Sequence, residues 1–281
     1  MLWLKLEGPS VWIVMVATFL ILGTWESWRP RRPLATATDG RWGLNGLLLL
    51  AAIILQAAVF RLGPVAAAAM VADRPWGLLN RPSLPFAVQF VAAILLLDLV
   101  HYLTHRLFHA VGFLWRIHEV HHSDADYDVS TSARFHPLEV IIAKGLYFAA
   151  IAILAPPLSA VFFAEIHTGL LNVFVHANIA LPPRLEAALR WAFITPDLHR
   201  VHHSVDVRDQ NRNFGQSFIW WDWLWTTYLA QSTTGDPAPL TGVSGAPPHL
   251  NLWALIAAPF RQRSLNETGR LRGGRRPIPL N

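Results

Sequence analysis

No cysteine occurs among the 281 residues, so disulfides, thiolate metal ligands and zinc ribbons are all excluded. Charge is scarce too. Only 15% of the residues are Asp, Glu, Lys or Arg, where an average soluble domain has about 25%. There is no internal repeat at a solenoid period and no low-complexity tract, which excludes repeat arrays and long linkers. What fills the chain instead is apolar length. Hydrophobic residues make up 53% of it, the mean hydropathy is +0.33, and several runs approach the roughly 20 apolar residues that a membrane-crossing helix needs. A formal charge of +5 and a pI near 10.2 would suit a nucleic-acid partner. However, the basic residues flank apolar segments rather than forming a patch interleaved with aromatics, and we exclude that partner. The 13 tryptophans suit a protein with two bilayer interfaces to anchor.

The fold class that follows is an all-α integral membrane protein with four to five transmembrane helices and a cytoplasmic helical cap. Three regions divide it: 1–90, membrane spans and an interfacial segment; 91–230, the chemistry-bearing part; and 231–281, an interfacial segment with a basic tail from Arg261. Val11 to Leu22 is an uncleaved first span, flanked by Trp3, Trp12, Trp25 and Trp28 and lacking a signal peptide's basic start and cleavage site. Arg29, Arg31 and Arg32 follow it and predict a cytoplasmic end there. Gly43 to Phe60 returns outward, and Pro64 to Leu79 is too short and proline-bounded for more than an interfacial or re-entrant piece. Phe86 to Tyr102 runs inward, and Ser123 to His136 is a polar cytoplasmic stretch. Leu138 to Leu154 and Leu158 to Leu181 form a hairpin broken at Pro156-Pro157. Arg184 to Phe193 reads as a short amphipathic helix, Thr195-Pro196-Asp197 as a helix start, and Asn211 to Gly215 as a turn. Ile219 to Tyr228 is an aromatic segment that either anchors at the interface or lines a lipid entrance. Leu250 to Phe260 is a helix lying on the membrane. Five crossings put every histidine cluster inside, in what we read as a bacterial inner membrane.

Thirteen histidines then need explaining. On a helix, residues three and four apart share a face. His101, His105 and His109 therefore form one stripe, His118, His121 and His122 a second, and His199, His202 and His203 a third. Imidazole is the commonest protein metal ligand, and a cluster this dense can hold more than one ion. Asp98, one turn before His101, is either an acceptor that fixes a ligand imidazole's tautomer or an interfacial carboxylate that caps or pairs with Arg106. His176 lies near the cytoplasmic end of the last span with Asn172 one turn deeper. His167, about 13 Å deeper than His176 at 1.5 Å per residue, reads as a buried helix–helix hydrogen bond.

The pattern HRLFH, HEVHH and HRVHH, preceded by Asp98 and set among membrane spans, resembles the fatty acid hydroxylase/sterol desaturase superfamily. TPDLHRVHHS, NFG, WDWLW and HANI extend the resemblance over Phe90 to Tyr228. It implies a membrane oxygenase with two iron ions, O2 as co-substrate, and electrons from a separate ferredoxin- or cytochrome b5-like reductase system. The activity implied is hydroxylation or desaturation of a lipid C–H bond. Carried over by position, the metal ligands are His105, His109, His118, His121, His122, His176, His199, His202 and His203. His101, Glu119 and Asn172 take supporting places beside them, and His136 is a lower-ranked candidate. Two other classes remain to be weighed. His118-Glu119-Val120-His121-His122 contains HExxH, the zinc metalloprotease signature with glutamate as general base. A non-catalytic metal-binding or transport protein would also use histidines.

Overall fold

The computed structural model describes residues 2–35, 38–74, 76–244 and 251–261; the basic tail beyond Arg261 lies outside them. Among these residues there is no strand, and the backbone polar groups are satisfied largely within helices, as hydrocarbon requires. The helices are α1 (Leu2–Trp28), α2 (Thr38–Phe60), α3 (Pro64–Val71), α4 (Phe86–Ala110), α5 (Gly112–His122), α6 (Pro137–Leu154), α7 (Leu158–Val175), α8 (Pro183–Leu189), α9 (Pro196–His202), α10 (Val207–Gln210), α11 (Trp220–Leu224) and α12 (Leu252–Ala257). Five stretches are long and apolar enough to cross a membrane: Leu2–Trp28, Gly40–Val71, Phe86–Ala110, Pro137–Leu154 and Leu158–Val175. Their outer faces carry exposed Ile21, Ile54, Val91 and Ile153, a surface that suits lipid tails rather than water.

α7 is the axis of the bundle and packs on α1, α3 and α4, while α6 packs on α2 and α4. Small residues allow the close approach: Ala93 of α4 and Ala160 and Ala164 of α7 are buried in one core with Leu97, Ile151 and Val161. α3 spans only about 12 Å, too short to cross, and fills the far end of the bundle against α6 and α7. Ala155, in the left-handed conformation, ends α6 ahead of Pro156 and Pro157 and turns the chain into α7.

The opposite end is where α4 and α7 finish, where α6 begins, and where α5 and α8 to α12 gather. One sequence expectation is corrected here. The helix of the last span stops at Val175 rather than Leu181, because His176 leaves helical pairing. The polar stretch from 123 to 136 is largely buried. It holds a 3-10 helix, Val129–Ala133, capped by Asp128, and Asp124, Asp128, Ser130, Thr131 and Arg134 are buried. Those groups are affordable inside only because they are paired. Arg41 bonds both Asp124 and Asp128, Asn45 donates to Asp124 at 3.2 Å, and Arg134 donates to Asn45 at 2.9 Å. The link between α1 and α2 is fastened to the same end through Arg31, paired with Asp197 at 3.0 Å. Leu255 of α12 packs beside Leu48 and Val120.

Candidate metal centre

α4 carries its histidines past the end of its apolar stretch, and α5 follows after a single residue, Val111, in extended conformation. α9 starts as the sequence predicts, with Thr195 accepting from the Leu198 amide and Pro196 in the first turn. The three helices and the foot of α7 bring nine imidazoles together in two groups. His105, His109, His118, His122 and His202 offer nitrogens within 4.8 Å of one another, and so do His121, His176, His199 and His203. The groups touch: the rings of His122 and His203 stack at 4.3 Å between centroids.

The sorting has a simple rule. In each HxxHH triplet the first and last histidines, four apart, stay together, and the middle one joins the other group. Residues i and i+4 lie about 40° apart around a helix, whereas i+3 lies about 60° to the other side. Two such triplets facing one another therefore furnish two sites.

Hydrogen bonds fix which nitrogen of each ring faces inward. Nδ1 of His105 donates to the Phe214 carbonyl at 2.9 Å, that of His118 to Glu139 Oε1 at 2.6 Å, and that of His202 to the Arg212 carbonyl at 2.8 Å. In the other group Nδ1 of His121 donates to the Arg134 carbonyl at 3.2 Å and that of His176 to the Asn172 carbonyl at 2.7 Å. With protons on Nδ1, the Nε2 lone pairs converge. His118 Nε2 lies 3.1 Å from that of His105 and 3.2 Å from that of His122; His176 Nε2 lies 3.2 Å from that of His121 and 3.1 Å from that of His199. Bare lone pairs repel at such distances. A metal with bonds of about 2.1 Å would set its neighbouring donors about 3.0–3.4 Å apart. Nε2 of His109, His202 and His203 is also buried without a protein partner, a cost of about 1–3 kcal/mol each if nothing satisfies it. The residues fit an ion in each group.

Charge state agrees. Burial lowers the imidazole of His118 to about 3 and that of His176 to about 4. Burial, and then repulsion among the rings, pushes His121, His122, His199, His202 and His203 well below the ordinary value. Neutral imidazoles are the ligand form.

Several supporting residues sit elsewhere than the sequence predicts. Among the described residues Asp98 bonds to no imidazole: its Oδ2 accepts from the Trp221 indole at 2.8 Å and the Phe218 amide at 3.3 Å, tying α4 to the aromatic segment. The carboxylate on a histidine is Glu139, which no motif marks. Asn172 contributes its backbone carbonyl to His176, while its side-chain amide donates to the Ser132 carbonyl at 3.0 Å. His136 caps α6 and reaches the Ile256 carbonyl at 3.1 Å, outside both groups. His167 stacks on Phe218 at 5.4 Å, with no hydrogen bond among the described residues. His101 lies against the Tyr147 ring, tilted by 31°, also outside the groups. Glu119 lies half-buried on α5.

A second carboxylate with no role assigned from the sequence is Asp222, in WDWLW. It accepts from the amides of Phe214 and Gly215, both at 2.8 Å, and from Thr227 Oγ1 at 2.6 Å. Burial raises its pKa to about 6. It thereby folds the turn whose Phe214 carbonyl holds His105. A Cβ at Gly215 would lie 2.8 Å from Ile194 and 2.9 Å from Asp222, and Asn213 takes a positive φ of 52°.

The fold and the site define a multi-span helical membrane protein with two groups of histidines at one end of its bundle that could hold metal ions. The sequence model of the family described as Fatty acid hydroxylase matches residues 90–227, and that part of the chain belongs to this family within the fatty acid hydroxylase/sterol desaturase superfamily. The chain is 28% identical to the ornithine lipid hydroxylase of Rhizobium tropici, over 65% of its own length and 54% of the relative's. It is 32% identical to the alkylglycerol monooxygenase of Homo sapiens, over 50% of its own length and 31% of the relative's. It is also 32% identical to the C-4 methylsterol oxidase of Schizosaccharomyces pombe, over 44% and 42%. The chain thus spans about half or less of the length of these relatives. No solved structure matches it at a significant level.

Proposed function

We propose that this chain is a lipid oxygenase that hydroxylates or desaturates a C–H bond, using O2 and electrons from a separate donor protein of ferredoxin or cytochrome b5 type. The observation that carries the reading is the pair of adjacent, neutral imidazole groups at the end of an apolar bundle. The relatives named for lipid substrates support it. When bound, two irons would supply the activation of dioxygen and the oxidation of the C–H bond. The nine histidines of the two groups would hold them. Glu139, Phe214, Arg212, Arg134 and Asn172 keep the proton on Nδ1 and the Nε2 lone pairs turned inward. Phe108, Trp115, Phe135 and Phe214 lie against His118, His109, His121 and His105 respectively and exclude water from the centre.

A zinc protease fits less well. Its site has three protein ligands and an open position. Here His118 and His122 are joined by three more imidazoles, with a second group in contact.

The test is to supply labelled dioxygen and a reductase system to the chain in lipid membranes. Labelled hydroxyl or a new double bond in the recovered lipid is the expected result. Cleavage of a peptide substrate without dioxygen would overturn it.

Sidedness belongs to the same proposal. Arg29, Arg31, Arg32, Arg116, Arg190, Arg200, Arg208 and Arg212 all lie in segments at the histidine end of the bundle, which supports a cytoplasmic centre in a bacterial inner membrane. With no native cysteine to compete, Arg208→Cys should label only from the cytoplasm and Ser83→Cys only from outside.

A further inference from the structure

Among the buried polar atoms outside both histidine groups that lack a partner within hydrogen-bond distance are Nε2 of His101 and the hydroxyl of Tyr147. They are neighbours, on α4 and α6, with ring centroids 4.9 Å apart. Tyr147 is only 1% exposed, and leaving a buried donor or acceptor unpaired is costly. Their position has a direction. His101 lies one helical turn, about 5.4 Å, from His105, on the bundle side of the metal centre. A lipid entering along the bundle would meet this pair before the histidine groups.

The surrounding charges are already spent. Lys144 pairs with Glu165 at 2.8 Å, and its ammonium lies 5.2 Å from the centre of the Tyr147 ring. Lys144 therefore has no free charge to offer a carboxylate or phosphate, and the Glu165 carboxylate lies close enough to act on the Tyr147 hydroxyl as well. What remains is an imidazole nitrogen and a phenol, neutral groups that can each complete a hydrogen bond. Together they match one uncharged group that both donates and accepts.

Resting on the oxygenase reading, we propose that His101 and Tyr147 hold an uncharged hydroxyl or amide of the lipid substrate. This anchors the substrate one turn from the metal centre, so the oxidised carbon lies within a few bonds of that group.

The test needs binding and no turnover. Radiolabelled hexadecanol, hexadecanamide, hexadecanoate and hexadecane are equilibrated with nanodiscs containing the metal-loaded chain, and retention above that of empty discs is measured. The native chain should retain the alcohol or the amide, whichever matches its substrate, in preference to hexadecane. Tyr147→Phe and His101→Phe keep an aromatic ring at each position and should each weaken that retention about fivefold to tenfold. Retention of hexadecane and the metal content should not change. No preference in the native chain, a preference that survives both substitutions, or tighter retention of hexadecanoate would each overturn the proposal. A chain that shows the preference but never oxidises a lipid would keep this site and sink the oxygenase reading instead.

Discussion

The two histidine groups differ in what holds them. The five-ring group draws on α4, α5 and α9; His105 and His109 in it are half-buried, and one of its rings is held by a side-chain carboxylate, Glu139 on His118. The four-ring group is wholly buried and is held through backbone carbonyls, those of Arg134 and Asn172. A carbonyl orients a ring without adding charge, and no substitution of its own side chain removes it. A carboxylate adds basicity to its imidazole and can be deleted. The five-ring site is therefore the adjustable one, and the four-ring site is fixed by the fold.

That contrast can be broken at its strongest point first. Glu139→Ala should weaken metal retention in the five-ring group by about 10–100-fold and leave the four-ring group loaded, as read by metal released during graded chelation. Simultaneous release from both groups would erase the distinction. Asp222→Asn comes next. It reaches the same group only through the turn that presents the Phe214 carbonyl, so the expected loss is at the low end of that range, about tenfold. Faster chelation of one ion reads it out, and loss of the four-ring ion instead would contradict the path from Asp222 to His105. The smallest effect belongs to Asn172→Ala. Its side chain gives up one bond to the Ser132 carbonyl, about 1 kcal/mol of stability, while the carbonyl that holds His176 stays. Thermal unfolding should show the small loss with metal content unchanged. Depletion of an ion would mean that the amide itself takes part in binding.

Much of this was legible in the sequence, and the limits have physical causes. Helical periodicity is local, so eight of the nine histidines stand out by spacing, together with His101, which joins neither group; His176 was marked only by the family resemblance, and apolar run length marks the spans. Which histidine joins which group depends on two triplets facing one another across the cap, and this appears only once α5 and α9 are placed. Glu139 escaped notice because it lies 17 residues beyond His122 in the chain (139 − 122), at the start of an apolar span. Asp98 was misread because its position one turn from a histidine stripe is compatible with either neighbour. The Trp221 indole, 123 residues away in sequence, takes it. The polar stretch from 123 to 136 gave no sign of its burial because its partners, Arg41 and Asn45, belong to a different span.

The central claim is that the two groups are separate sites that each hold one ion. Metal analysis of the purified native chain, of His118→Ala and of His199→Ala tests it most directly. The account predicts two irons per native chain and one in each variant, with the remaining iron in the untouched group. Two irons in either variant, or a single zinc in the native chain, would contradict it.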